Sequence, residues 1–177
     1  DAMRDAANNL VSASVALICA PAGYGKSTVM ARWHEMLQAD GIRCAWLSVD
    51  EDDNDSTRFL RHLVAAFQNI DADIGHDLLA QLTVQRDSVK PLLESLAADL
   101  ARTPRRAVLF IDDLHLATHD EVLETVHWLI NYSPRQYQYV LGCRLVLKLQ
   151  LSSLRVRRKL LEIGAADLGF SADETAE

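Results

Sequence analysis

At 177 residues, with 49% apolar side chains and few Gly or Pro, the chain is long enough for one α/β domain with a sizeable core and too apolar to be largely disordered. A formal charge of −7 argues against a nucleic-acid-binding module, yet it permits a magnesium nucleotide, which needs only local positive charge. Cys19, Cys44 and Cys143 lie in or beside apolar runs and form no C-x-x-C pair, so buried free thiols of a reducing compartment are expected. No apolar stretch reaches membrane-spanning length, which points to a cytoplasmic protein with no membrane partner.

Residues 1 to 14 are polar and Ala-rich and read as the end of a helix feeding the first strand, Val15 to Ala20, whose unbroken apolar character suits a buried parallel strand. The turn that follows, Pro21-Ala-Gly-Tyr-Gly-Lys-Ser27, opens a helix running from Ser27 to about Gln38. Strand, glycine turn, then Gly-Lys-Ser is the arrangement that wraps a triphosphate. Backbone N–H groups from Ala22, Gly23, Tyr24 and Gly25 through Thr28 can donate to phosphate oxygens, aided by the helix dipole. Lys26 would reach the β- and γ-phosphates and the Ser27 hydroxyl would ligate Mg²⁺. The general pattern G-x-x-x-x-G-K-[ST] is departed from once, where Ala20 replaces the first Gly. Asp40-Gly41 stops the helix.

Arg43 to Val49 forms a second strand, leading into Asp50-Glu-Asp-Asp-Asn-Asp55. Alternate acids there suggest a calcium loop, but Asp55 stands at the required Gly and Arg61 at the required Glu, so a solvated loop capping the next helix is the better reading. That helix carries Phe59, Leu60, Leu63, Val64 and Phe67. After a polar connection with a short helical piece at Leu78 to Leu82, a further amphipathic helix spans Ser88 to Arg102, with Pro91 in its first turn. The alternation of strands and helices predicts a three-layer α/β fold, a parallel sheet between helices, of the P-loop NTPase kind.

Ala107 to Ile111 is a buried strand that delivers Asp112 and Asp113 at its carboxyl end, where ligands sit in open α/β sheets. Asp112 is placed to hold Mg²⁺ opposite Ser27. Asp113 could orient or deprotonate an attacking water, or simply cap the loop. His115 follows closely and either senses the site or is structural. A helix from Glu121 to Asn131 precedes a fourth strand, Tyr137 to Cys143, which puts Arg144 at its tip, within reach of a γ-phosphate or merely on the surface. Residues 151 to 161 keep helical periodicity and a short strand is expected near Leu160 to Ile163. The basic cluster Arg155 to Lys159 reads as a solvated face.

Four stretches together resemble the ATPase domain of the large MalT-like, LuxR-type transcriptional regulators, in the STAND class of P-loop ATPases. They are Ala20 to Ser27, Ala45 to Asp55 running into Arg58-Phe-Leu-Arg-His62, Phe110-Ile-Asp-Asp-Leu-His115, and Leu161 to Leu168 followed by Phe170. The resemblance implies ATP and Mg²⁺ as cofactors, with Lys26 and Ser27 on nucleotide, Asp112 and Asp113 as the acidic pair, and Arg144 as the Arg closing the fourth strand. It also implies a switch that self-associates with ATP bound and contacts DNA only through a C-terminal helix-turn-helix. Neither that module nor the helical-repeat sensor is in these residues, and a cap at Ser171 and Glu174 suggests that another helix follows. The chain departs from the family at the missing basic segment before the domain, at Leu145 to Leu149, and at Gly169.

A small-molecule P-loop kinase and a non-catalytic interaction domain with a vestigial phosphate loop are the competing readings. GTP is disfavoured, since no Asn-Lys-x-Asp segment occurs.

Overall fold

The computed structural model describes residues 13–82, 89–145, 149 and 151–168. The expected helix end before residue 13, the Gly169 departure and the Ser171 cap lie outside these residues. Five strands form one parallel sheet: β1 (Val15–Cys19), β2 (Arg43–Ser48), β3 (Ala107–Asp112), β4 (Tyr137–Cys143) and β5 (Leu160–Gly164), in the order β2-β3-β4-β1-β5. Six helices connect them: α1 (Lys26–Ala39), α2 (Ser56–Gln68), α3 (His76–Leu82), α4 (Lys90–Arg102), α5 (Asp120–Tyr132) and α6 (Ser152–Val156). The predicted three-layer α/β architecture is what the chain adopts.

The strand order dictates which helix covers which face. From β1 the chain moves across β4 and β3 to reach β2, whereas every later crossover moves the opposite way along the sheet. Because parallel crossovers are right-handed, the reversal puts α1, alone of the connecting helices, on one face and α2 to α6 on the opposite one. The core divides accordingly. Alternate residues of the strands, Ala16, Ile18, Val108, Phe110 and Val140, pack with Val29, Met30, Trp33 and Leu37 of α1. Their neighbours Val15, Leu17, Leu109, Ile111, Tyr139 and Leu141 pack with α2 to α5.

α1 is further held by His34, whose ring meets Phe110 edge-on at 5.3 Å, while Trp46 stacks on Phe110 at 5.4 Å. The helix ends as expected, with Gly41 at φ 77 just after the Asp40 cap. Among the described residues no helix is long and apolar enough to cross a membrane.

One local expectation needs correction. Helical periodicity over residues 151 to 161 yields a helix of only five residues, because the chain turns at Arg158, φ 52, into the strand expected near Leu160 to Ile163, which forms as Leu160–Gly164 and pairs with β1. Strand pairing wins over local periodicity there. On α2, His62 keeps a partly exposed side chain and has its Nδ1 2.8 Å from the fully buried carboxylate of Asp53.

Candidate functional site

Adjacent strands β1 and β4 feed helices on opposite faces of the sheet, and such a reversal opens a crevice at the strands' carboxyl ends. Three tips line that edge in the order β3, β4, β1. Two strand spacings separate the outer pair, roughly 10 Å.

At the β1 tip, residues 21 to 25 are exposed and the chain passes through Gly23 at φ 86 and Gly25 at φ 75. A Cβ at either glycine would meet nothing within 4 Å, so the demand is for left-handed backbone, not for space. Gly25 caps α1 without a side-chain hydrogen bond, and no acidic residue stands in the first turn. Helices normally recruit an Asp, Ser or Thr there to satisfy the leading N–H groups. Its absence leaves that end fit for an external anion. Lys26, only 7% exposed, folds back so that its Nζ donates to the Pro21 carbonyl at 3.0 Å. Ser27 and Thr28 are exposed beside it and Tyr24 is half exposed.

At the β3 tip, Asp112 is buried and its Oδ1 accepts from the Asp113 N–H at 2.8 Å. Asp113 adopts φ 54, a left-handed conformation that Asp tolerates better than most residues. Between the two tips lies Gly142, whose requirement is space: a Cβ there would sit 2.6 Å from Asp112 Oδ1 and 2.7 Å from Met30 Sδ. The missing side chain lets α1 and the Asp112 carboxylate close over β4. Sequence reading passed over Gly142, since nothing local distinguishes it from any strand glycine.

Arg144 follows β4 and is exposed. His115, its side chain 10% exposed, joins the three tips: burial lowers its pKa, Arg144 and Lys26 push the same way, and Asp113 and Asp112 oppose them. His115 therefore shares this edge with Lys26, Asp112, Asp113 and Arg144, and its Nδ1 lies 3.9 Å from Asp113 Oδ1. Cys143 shares the edge. Its thiol is pushed up to about 12 by burial and by the neighbouring Cys19 sulfur, with Lys26 acting in the opposite sense. Cations on one side and carboxylates on the other, beside an open helix N-terminus, are what a magnesium polyphosphate requires.

The loop after β3 is anchored by a residue the sequence did not single out. Asn54 Oδ1 accepts from the backbone N–H groups of Thr118 at 2.8 Å and His119 at 3.0 Å, and its Nδ2 donates to the carbonyls of Glu51 and Leu116, each at 3.0 Å. The acid-rich stretch around it is partly paired. Asp50 and Asp53 cap each other's backbone N–H, and Arg58 bridges Asp50 at 2.8 Å and Asp52 at 3.2 Å. Asp55, as expected, caps α2 through the Arg58 N–H at 2.7 Å.

A family model described as an AAA domain matches residues 9–147. The chain belongs to that family. It is also 36% identical over 166 residues to the HTH-type transcriptional regulator MalT of Cronobacter sakazakii, across 92% of this chain and 18% of that protein. It thus spans less than a fifth of that relative's length. The resemblance to MalT-like regulators read from four sequence stretches is borne out at the level of this domain.

Solved structures agree on the fold. The Aeropyrum pernix ORC1 protein in complex with DNA matches with a TM-score of 0.52 at 18% identity, over 92% of this chain and 44% of that one. A chain of Drosophila ORC bound to AT-rich DNA and Cdc6 matches with 0.57 at 7% identity, over 93% of this chain and 55% of that one.

Proposed function

We propose that this AAA-family domain binds ATP and Mg²⁺ and, by slow hydrolysis, serves as the nucleotide-dependent switch of a LuxR-type regulator of the STAND class. What supports the reading is that Lys26, opening α1 after β1, and Asp112, ending β3, come from distant parts of the chain to one edge of the sheet, where Asp112 Oδ1 and Met30 of α1 both close over Gly142. In this reading the backbone N–H groups of Ala22, Gly23, Tyr24, Gly25 and Thr28 cradle the phosphates. Lys26 leaves the Pro21 carbonyl to meet the β- and γ-phosphates. Ser27 and Asp112 hold the metal, Asp113 orients the attacking water and Arg144 meets γ-phosphate charge. Bound Mg²⁺ would neutralise phosphate charge. Contact with DNA, and self-association in the ATP state, belong to the longer regulator that the MalT likeness suggests.

The kinase alternative draws no support from the groove of about 380 Å³ lined by Asp71, Asp73, Ile74, Asp99, Arg102 and Thr103. Thr103 ends α4 ahead of β3, and Arg43 at the start of β2 pairs with Asp71, so this groove lies at the edge where strands begin.

Thermal unfolding with ATP, ADP and GTP, each with and without Mg²⁺, tests the reading. A ligand at a hundredfold excess over its Kd stabilises by about 2.7 kcal/mol, an upward Tm shift of roughly 5 °C or more for a domain of this size. The shift is expected with ATP and ADP, strengthened by Mg²⁺, and abolished in Lys26→Ala, which keeps the wild-type Tm without ligand to within a few degrees. No shift with any nucleotide defeats the proposal.

A further inference from the structure

The nucleotide reading gives tasks to Lys26, Ser27, Asp112, Asp113 and Arg144 and leaves His115 with none, although that imidazole sits among them. Nine-tenths of its side chain is buried, and its Nδ1 is shut off from solvent without a hydrogen-bond partner. Burying an unpaired polar nitrogen is costly, so such a group is normally relieved by a partner. Asp113 Oδ1 lies 3.9 Å away, about an ångström beyond a hydrogen bond.

Which of the two can move is set by how each is held. His115 lies in a short 3-10 turn, Leu114–Leu116, with Leu114 fully buried and the Leu116 carbonyl, Thr118 and His119 fixed by Asn54. The Asp113 backbone is likewise fixed, its N–H committed to Asp112 Oδ1, but its side chain is 39% exposed and free to turn about its own bonds. The stationary imidazole therefore waits for a mobile carboxylate. Burial, helped by Arg144 and Lys26 and opposed by Asp113 and Asp112, holds the ring's pKa below its ordinary value, which favours the neutral form with one N–H.

We propose that His115 is a positioning residue for Asp113: with nucleotide in the crevice, the Asp113 carboxylate turns to accept the His115 Nδ1–H and is thereby held facing the γ-phosphate side. This rests on the nucleotide reading above. His115 touches no reacting atom; it chooses the orientation of the group that does. A carboxylate tethered at one oxygen presents the other in a defined direction, which a freely rotating one does not.

Two measurements on this chain test it. In the first, long-range ¹H–¹⁵N spectra follow the six imidazoles, with the His115 signals identified by their loss in His115→Phe. Adding Mg²⁺ with ADP or with a slowly hydrolysed ATP analogue is expected to place the proton on Nδ1 and slow its exchange, a change absent in Asp113→Ala. A ring protonated on Nε2 alone, or one that ignores the nucleotide, overturns the proposal. In the second, His115→Phe keeps the ring's bulk but removes its N–H, and kcat is expected to fall roughly 10- to 100-fold with KM within about threefold. His115→Asn restores an N–H near the position of Nδ1 and should recover kcat to within about threefold of wild type. Wild-type kcat in His115→Phe, or a loss that Asn fails to rescue, overturns the assignment. If the unmodified chain binds neither nucleotide, the underlying reading fails first and takes this inference with it. Ordinary binding with an indifferent His115 defeats the inference alone.

Discussion

The loops that follow β1 and β3 meet at one crevice but are built in opposite ways. After β1, residues 21 to 25 are all exposed, and the work is done by backbone: two left-handed glycines and an uncapped helix start. After β3, Asp112 and Leu114 are buried, side-chain carboxylates take the place of bare backbone, and Asn54 reaches over from the turn after β2 to hold the segment down. A loop that donates through its N–H groups needs only the right φ angles, which glycine supplies locally. A loop that presents carboxylates needs its side chains aimed, and aim requires anchors from elsewhere in the chain.

Gly142 is where the two halves depend on each other, and breaking it should have the largest effect on their relation. Gly142→Ala would set a methyl group against Asp112 Oδ1 and Met30 Sδ at contact distances no real side chain tolerates. Met30 can yield, but Asp112 is buried and fixed, so a loss of about 1–3 kcal/mol in urea unfolding is expected. Any nucleotide-dependent Tm shift should also lose its Mg²⁺ dependence more than its nucleotide dependence, because the carboxylate side is displaced while the glycine loop is untouched. Unchanged stability in Gly142→Ala would show that α1 and Asp112 do not close over β4 as described.

Asn54 sharpens the same contrast from one side only. Asn54→Ala leaves the Thr118 and His119 N–H groups without their acceptor at the start of α5, which has no side-chain cap of its own. The expected cost is about 1–2 kcal/mol. Asn54→Asp keeps the acceptor and gives up the donor to Leu116, so it should cost less than Ala. Equal losses in the two variants would mean that the cap contributes little. Nucleotide affinity at the β1 loop should change least of all.

The same division explains what could be read from sequence. Strands β1 to β4 came within a residue of their observed limits because each centres on an apolar run, buried almost throughout in β1, β3 and β4 and partly exposed in the edge strand β2, a signal contained in the segment itself. The glycine loop was legible for the same reason, since Gly23, Gly25 and Lys26 state their backbone requirements locally. Asp112 and Asp113 were legible as carboxylates at a strand end, but their anchors were not. Asn54 looked like one more polar residue in an acidic loop, and Gly142 like a weak point in a strand. What each does is fixed by residues far along the chain, brought close only by the β2-β3-β4 pairing. The strand near Leu160 was expected, but the end of α6 was missed because helical periodicity ran on into residues that pair with β1.

The outer neighbours of the two site strands differ as well, and this supports the smallest prediction. β2, beside β3, ends in the Arg58 and Asn54 network, whereas β5, beside β1, is tied to α6 by a two-point pair between Arg155 and Glu162, about half exposed on both sides. The Arg155 hydrogen bonds hold the Glu162 carboxyl below its ordinary value against a smaller opposing effect of burial. With its pKa depressed in the folded state, Glu162 binds more protons when the chain is unfolded. Its contribution is therefore complete above the ordinary Glu pKa and drains away as pH falls through the lower folded value. Solvent screening limits that contribution, so Glu162→Gln should cost at most about 1 kcal/mol at pH 7 and less in molar salt. Comparing unfolding of wild type and Glu162→Gln between neutral pH and the acid range should show the gap closing toward acid. A gap that widens instead would mean that the carboxylate is penalised, not held, in the folded protein. Because β5 shares only the β1 edge, the β3 loop and its Asn54 anchor should be indifferent to this change at every pH.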